Sequence, residues 1–191
     1  MKKIFLILFA ATIACSAIYA EENSEKTMGA SIGARLSLLG AMPEASFIVK
    51  NLEVGVTVPI LSGTNYETDE KVLGVGVGGF FGYLSNPFAK GFQNAVGLQY
   101  LWLTNNYMKA TLFSDSMKDE LNGSNGAHIF SLYYRGCYKF TERFGISFRG
   151  ALPLFAGFSG RDSINIIDTK TSWACWLMAL GSFSLGVRFE I

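Results

Sequence analysis

The clearest pattern in the sequence lies in residues 182–191, Ser182-Phe183-Ser184-Leu185-Gly186-Val187-Arg188-Phe189-Glu190-Ile191. Apolar side chains alternate in it with small, polar or charged ones. Successive side chains of an extended strand point to opposite faces, so the apolar set shares one face while Arg188 and Glu190 share the other. An amphipathic helix would repeat every 3.6 residues instead. The stretch is therefore predicted to be a β-strand with one apolar and one polar face.

The same period of two recurs in seven other segments, which predicts eight strands in all. These segments are residues 28–38, 45–50, 52–60, 73–83, 94–104, 127–140 and 143–158. Segment 45–50 is short for a membrane-spanning strand unless it begins near Ala41 and includes Pro43. No run after residue 20 approaches the length of a membrane helix.

Composition excludes two broad classes of protein. Half of the 191 residues are hydrophobic and only 16% are charged, which is too apolar for a disordered chain. The 16 basic and 15 acidic residues leave a net charge of only +1, so no nucleic-acid partner is expected. The length favours one domain.

The N-terminus has the pattern of a secretory signal peptide. Met1-Lys2-Lys3 is basic and residues 4–14 are almost entirely apolar. We expect residues 1–20 to be removed, which leaves residues 21–191 as a single exported domain. A lipid anchor on Cys15 stays open as an alternative, although Thr12 departs from the usual lipoprotein pattern.

Connection lengths alternate along the chain. The connections at 50–51, 85–90 and 140–143 are short, whereas 62–71, 105–126 and 159–171 are longer and polar. This is the layout of an outer-membrane barrel, which has periplasmic turns and extracellular loops. We expect loop 105–126 to be the most exposed and mobile part.

The content of the two strand faces predicts which one points inward. The polar face is made of glycine, serine and a few charges, which suits the narrow interior of an eight-stranded barrel, and the uncharged apolar face suits lipid. We predict a lumen charge network in which Glu53 is the only carboxylate well inside the strands. Its predicted members are Arg35, Glu53, Arg135, Arg149 and Arg188, with Glu190 nearby. Aromatic residues are expected in two girdles, with Phe81, Tyr83, Phe140, Phe144 and Phe189 near the turns and Tyr100, Trp102, Phe158 and Trp173 near the loops.

With these features the chain resembles the small outer-membrane barrels of diderm bacteria, the OmpA/OmpX type of the porin-like superfamily. Ser184, Gly186, Phe189 and Ile191 resemble the C-terminal signal of that family, although Ile191 stands where the family usually has Phe or Trp. The resemblance implies an all-β fold, an eight-stranded antiparallel transmembrane barrel with an up-and-down meander. It also implies the bacterial cell outer membrane as location, with its lipids and the barrel-assembly machinery as partners.

Residues with catalytic chemistry are few. His128 and Ser131 are three residues apart, which places them on opposite faces of a strand, so neither can activate the other. Asp115, Asp119 and Glu120 are typical of a solvated loop. After residue 20, one histidine and two separated cysteines make no metal cluster. Cys137 and Cys175 are predicted to face opposite sides of the barrel wall and to form no disulfide.

We therefore expect a non-enzymatic outer-membrane barrel with a side-chain-filled polar lumen and no catalytic, metal or cofactor site. Its surface loops would serve structural, adhesive or host-interaction roles and would bind any extracellular ligand. Two alternatives stay open at this point: a narrow channel for small or apolar solutes, and a lipid-modifying enzyme.

Overall fold

Strands account for most of the chain that the structure describes. A computed structural model describes residues 27–38, 40–65, 68–111, 123–159, 164–166 and 183–191. Its strands are β1 (Met28–Ser37), β2 (Gly40–Val49), β3 (Leu52–Thr57), β4 (Ile60–Thr64), β5 (Lys71–Leu84), β6 (Gly91–Thr104), β7 (Gly126–Lys139), β8 (Phe144–Ser159), β9 (Ile164–Ile166) and β10 (Ser184–Glu190). One short helix, α1 (Asn105–Lys109), follows β6. The signal peptide predicted for residues 1–20 lies outside the described residues.

The strands close into an antiparallel barrel with eight strand positions around the ring. Neighbouring positions pair with each other, and β1 closes the ring by pairing with β10, from Ser31 opposite Glu190 to Ser37 opposite Ser184. Strands β3 and β4 together occupy the third position, because both pair with β2 and with β5. Strand β9 pairs antiparallel with the end of β8, from Gly157 opposite Ile166 to Ser159 opposite Ile164. The predicted all-β, eight-stranded meander is thus confirmed.

Val58 and Pro59 separate β3 from β4, because proline has no N–H to donate to the hydrogen-bond ladder of a sheet. Hydrogen bonds continue across the break: the Val58 N–H donates to the Pro43 carbonyl at 3.0 Å, and the Gly76 N–H donates to the Pro59 carbonyl at 2.8 Å. Strand β2 begins at Gly40, next to the Ala41 start that the sequence pattern allowed, and includes Pro43. Gly40 has φ of +97°, and a Cβ there would lie 2.3 Å from the Ile60 carbonyl oxygen. Only glycine fits this hairpin.

A β-bulge in β8 reverses the faces of its last residues. Phe130 pairs with Phe155 and Ser131 with Pro153, so Leu154 is an extra residue. Phe155 is therefore 62% exposed on the outside, whereas Phe158 is 3% exposed inside. The expectation that Phe158 belongs to the outer aromatic girdle is wrong, because strict alternation does not survive an inserted residue. Trp173 lies outside the described residues.

Among the described residues, no helix is both long enough and apolar enough to cross a membrane.

Candidate functional site

The outer surface of the barrel is apolar between its two ends. Its exposed large side chains include Ile32, Leu36, Phe47, Val54, Val56, Leu73, Val75, Val77, Phe81, Tyr83, Leu98, Ile146, Phe148, Leu152, Leu185 and Val187. Exposed charges in the described chain occur only at the ends: Lys50, Lys90, Glu142 and Arg143 at the short turns, and Asp69, Glu70 and Lys71 at the opposite rim. The predicted apolar outer face is therefore present, with nothing charged in its middle among the described residues.

The height of this apolar band follows from β5. Its outward residues lie between Leu73 and Tyr83, a distance of ten residue-to-residue steps, or about 33 Å along the strand at about 3.3 Å each. A strand tilt of about 40° reduces this to about 25 Å along the barrel axis. That height matches the lipid-facing band of transmembrane barrels, which is about 25 Å.

Inside the barrel, Glu53 is the centre of one ion-pair cluster. Its carboxylate accepts from Arg135 Nη2 at 2.6 Å and lies 2.7 Å from Arg188 Nη2. The Ser46 hydroxyl also donates to Glu53 at 2.6 Å. Glu53 itself is fully buried. Three of the five residues predicted for the lumen network thus meet here.

Glu44 is the centre of a second cluster, which contains the other two predicted residues. Its Oε2 accepts from Arg35 Nε at 2.9 Å and lies 3.4 Å from Arg149 Nη2. The expectation that Glu53 is the only inward carboxylate well inside the strands is wrong. The sequence prediction missed Glu44 because it began the second strand at Ala45, although alternation with Ser46 and Ile48 places Glu44 on the same inner face.

A third pair closes the network toward the turns. Lys139 Nζ lies 2.6 Å from Glu190 Oε2, and both residues are buried. The described lumen therefore holds five cations against three carboxylates. The cations are Arg35, Arg135, Lys139, Arg149 and Arg188, and the carboxylates are Glu44, Glu53 and Glu190. The described interior has a formal charge of +2.

Aromatic rings compensate part of this excess at Arg149. Its guanidinium carbon lies 4.5 Å from the Phe80 ring centroid and 4.4 Å from that of Tyr133. Nη1 donates to Gln99 Oε1 at 3.1 Å, whereas Nε and Nη2 have no hydrogen-bond acceptor. The negative faces of aromatic rings attract a guanidinium, and the attraction grows when water is excluded. The two rings thus hold a buried cation that its carboxylate only partly neutralises.

The turn at residues 85–90 closes one end of the barrel. Gln93 Nε2 donates to the carbonyl oxygens of Asn86 at 2.9 Å and Pro87 at 2.7 Å. Lys139 Nζ donates to the Pro87 carbonyl at 3.4 Å. Phe88 packs against an apolar cluster of Ile48, Phe80, Leu84, Ala95 and Tyr133. The turn is therefore folded onto the interior and fixed there.

Helix α1 closes the opposite end. Tyr107 and Met108 are buried, and they pack on an inner apolar cluster with Leu101, Leu103, Ala127, Ile129, Ala156 and Phe158. Thr104 caps the helix by accepting from the Tyr107 N–H. Gly74 makes the close approach possible, because a Cβ there would lie 2.1 Å from Tyr107 Cα. Burial also raises the pKa of the Tyr107 phenol.

Two expectations about the loops and the lumen are wrong. The loop predicted for 105–126 is not exposed at its start, because residues 107, 108, 110 and 111 are all buried. Residues 112–122 lie outside the described residues. The lumen is also not polar throughout, since apolar clusters lie on both sides of the charges. Strand alternation marks which face points inward but not which level of the barrel a residue occupies.

His128 and Ser131 are separated by the barrel wall, as predicted. Ser131 is buried inside, whereas His128 is on the outer side, where its Nδ1 lies 2.6 Å from the Tyr100 hydroxyl. Cys137 is a buried free thiol on the lumen side, also as predicted. Cys175 lies outside the described residues.

The four residues of the predicted C-terminal signal form and follow β10. Ser184 faces inward, and its hydroxyl accepts from Arg35 Nη1 at 3.0 Å. Gly186 lies against β1, where a Cβ would be 2.3 Å from the Ala34 carbonyl oxygen. Phe189 and Ile191 are exposed on the outside. Their role in assembly stays a prediction.

Comparison of the chain with protein-family models gives no match, and comparison with curated proteins gives none either.

Proposed function

We propose that this protein is a non-enzymatic outer-membrane barrel that spans the bilayer as a sealed scaffold and presents its loops at the cell surface. The observation that carries the proposal is the inverted polarity of the fold: ion pairs fill the inside, and a band of apolar side chains about 25 Å high covers the outside. A water-soluble barrel has the opposite arrangement. Exposed apolar patches of this size mark a membrane or a protein interface, and only a membrane surrounds a barrel on all sides.

The closed lumen favours a scaffold over a channel. Turn 85–90 covers one end and α1 covers the other, with buried charges and two apolar clusters between them. An eight-stranded barrel has just enough interior to be filled by side chains. We therefore propose that no solute path runs through the interior and that specific recognition belongs to the loops.

Two measurements test this proposal together. The chain without residues 1–20, refolded into phosphatidylcholine vesicles, should migrate faster on an unheated denaturing gel than after boiling, because a closed membrane barrel resists the detergent. The same preparation should show no steady conductance in planar bilayers. A soluble refolded protein without a mobility shift would contradict the membrane proposal, and a discrete conductance would favour the channel instead.

A further inference from the structure

The turn between β7 and β8 and the end of the turn before β6 together form an open pocket, which has no part in the proposed scaffold role. Lys90, Phe140, Thr141, Glu142 and Arg143 line an open pocket of about 340 Å³ at this rim. All of these residues belong to the end of the barrel at which the short turns lie. We propose that this pocket binds the headgroup of an anionic glycerophospholipid in the adjoining leaflet.

The aromatic side of the pocket marks the level of the membrane interface. Phe140 is 55% exposed and contacts two other outward rings: its centroid lies 5.2 Å from that of Tyr138 and 6.2 Å from that of Phe144. Exposed aromatic residues concentrate where the acyl region of a bilayer meets the headgroups. A lipid whose chains lie against these rings would have its phosphate at the level of the turn.

The basic side of the pocket stands where that phosphate would lie. Lys90 and Arg143 are exposed, and Glu142 is the only acidic residue among those that line the pocket. Lys90 Nζ is 3.7 Å from Glu142 Oε1, with both side chains mostly exposed, so this pair is weak and leaves the lysine available. Glu190, the nearest acidic residue on β10, faces inward to Lys139. The pocket carries one net positive charge.

Hydrogen bonds fix the backbone of the turn at residues 140–144 before any lipid arrives. The Thr141 hydroxyl accepts from the Arg143 N–H at 3.2 Å and from the Phe144 N–H at 2.9 Å. The Phe140 N–H donates to the Phe144 carbonyl at 3.0 Å. A preformed site loses less conformational freedom on binding, which favours a bound lipid over a merely neighbouring one.

The inference rests on the proposed membrane function, so its test separates the two. Protein refolded in mixed micelles of phosphatidylcholine and phosphatidylglycerol is analysed by native mass spectrometry for retained lipid. We expect about a fivefold preference for phosphatidylglycerol, because one net basic charge near an anionic surface contributes about that much. The double variant Lys90→Gln/Arg143→Gln should lose the preference, whereas Lys50→Gln/Lys71→Gln, with the same change of net charge elsewhere, should keep it.

Several outcomes would overturn the inference. They are a wild-type protein without preference, an equal loss in the control variant, and displacement of the lipid by millimolar inorganic phosphate, which would indicate a free-anion site. In each of these cases the protein still shows the heat-dependent gel mobility. Absence of that mobility shift in every variant would instead contradict the proposed membrane function.

Discussion

Replacing Glu53 with glutamine removes the charge that holds two buried arginines. Arg135 and Arg188 both pair with this carboxylate and are almost fully buried. A glutamine side chain at this position would still accept one hydrogen bond, but the formal charge of the described lumen would rise from +2 to +3. Loss of one partner from a buried pair typically costs about 3 to 5 kcal/mol, because the remaining charge is desolvated without compensation. We expect Glu53→Gln to lower the free energy of unfolding by about that amount.

Replacing Arg188, one of the two cations that pair with Glu53, should lower the free energy of unfolding by less. Arg188→Gln leaves Glu53 paired with Arg135 through two hydrogen bonds, at 2.6 and 3.2 Å, and lowers the lumen charge to +1. In the double variant Glu53→Gln/Arg188→Gln the charge returns to +2. We therefore expect the double variant to be more stable than the sum of the two single changes predicts.

The assay is urea unfolding of each variant in lipid vesicles, with Glu142→Gln as control. Glu142 is an exposed glutamate, with a side chain 77% exposed, so its loss should leave the urea midpoint unchanged. A urea midpoint for Glu53→Gln equal to that of the wild type would contradict this prediction, because it would mean that water already screens the two arginines.

Three further changes test other parts of the structure. Val77→Arg, near the middle of the apolar band, should destabilise the vesicle-inserted protein by about 2 to 4 kcal/mol, whereas Leu73→Arg at its rim should cost about 0 to 1 kcal/mol; equal urea midpoints would argue against a bilayer around β5. Gly74→Val should displace α1 from the barrel end, since even a Cβ at position 74 would lie 2.1 Å from Tyr107 Cα, and protease should then cleave faster near residues 105–111. The control is Gly79→Val on the same strand, where a Cβ meets only the Gly55 carbonyl oxygen, at 3.7 Å. Equal cleavage of the two variants would show that the helix does not depend on the contact with Gly74. Cys137 should resist alkylation in the folded barrel and react after urea unfolding without reductant, because it is a buried free thiol; mass spectrometry that finds no alkylated Cys137 in urea would contradict a free thiol.

The strand pattern of the sequence was enough to predict most of the barrel. Alternation of two residues assigned Arg35, Arg135, Arg149 and Arg188 to one face together with Glu53, and the structure places all five inside. The same pattern separated His128 from Ser131. These predictions succeed because the side chains of a regular strand alternate whatever the strand pairs with.

The strand count, the inverted polarity and the faces of regular strands can thus be predicted from the sequence. Three other features depend on the folded barrel: Leu154 forms a bulge that turns Phe158 inward, Glu44 shares its carboxylate between Arg35 and Arg149, and α1 folds onto the barrel end. Each depends on the partner strand, its register or a packing surface that exists only after closure. Alternation is a local property of one strand, whereas register and ion-pair choice are properties of the assembled ring.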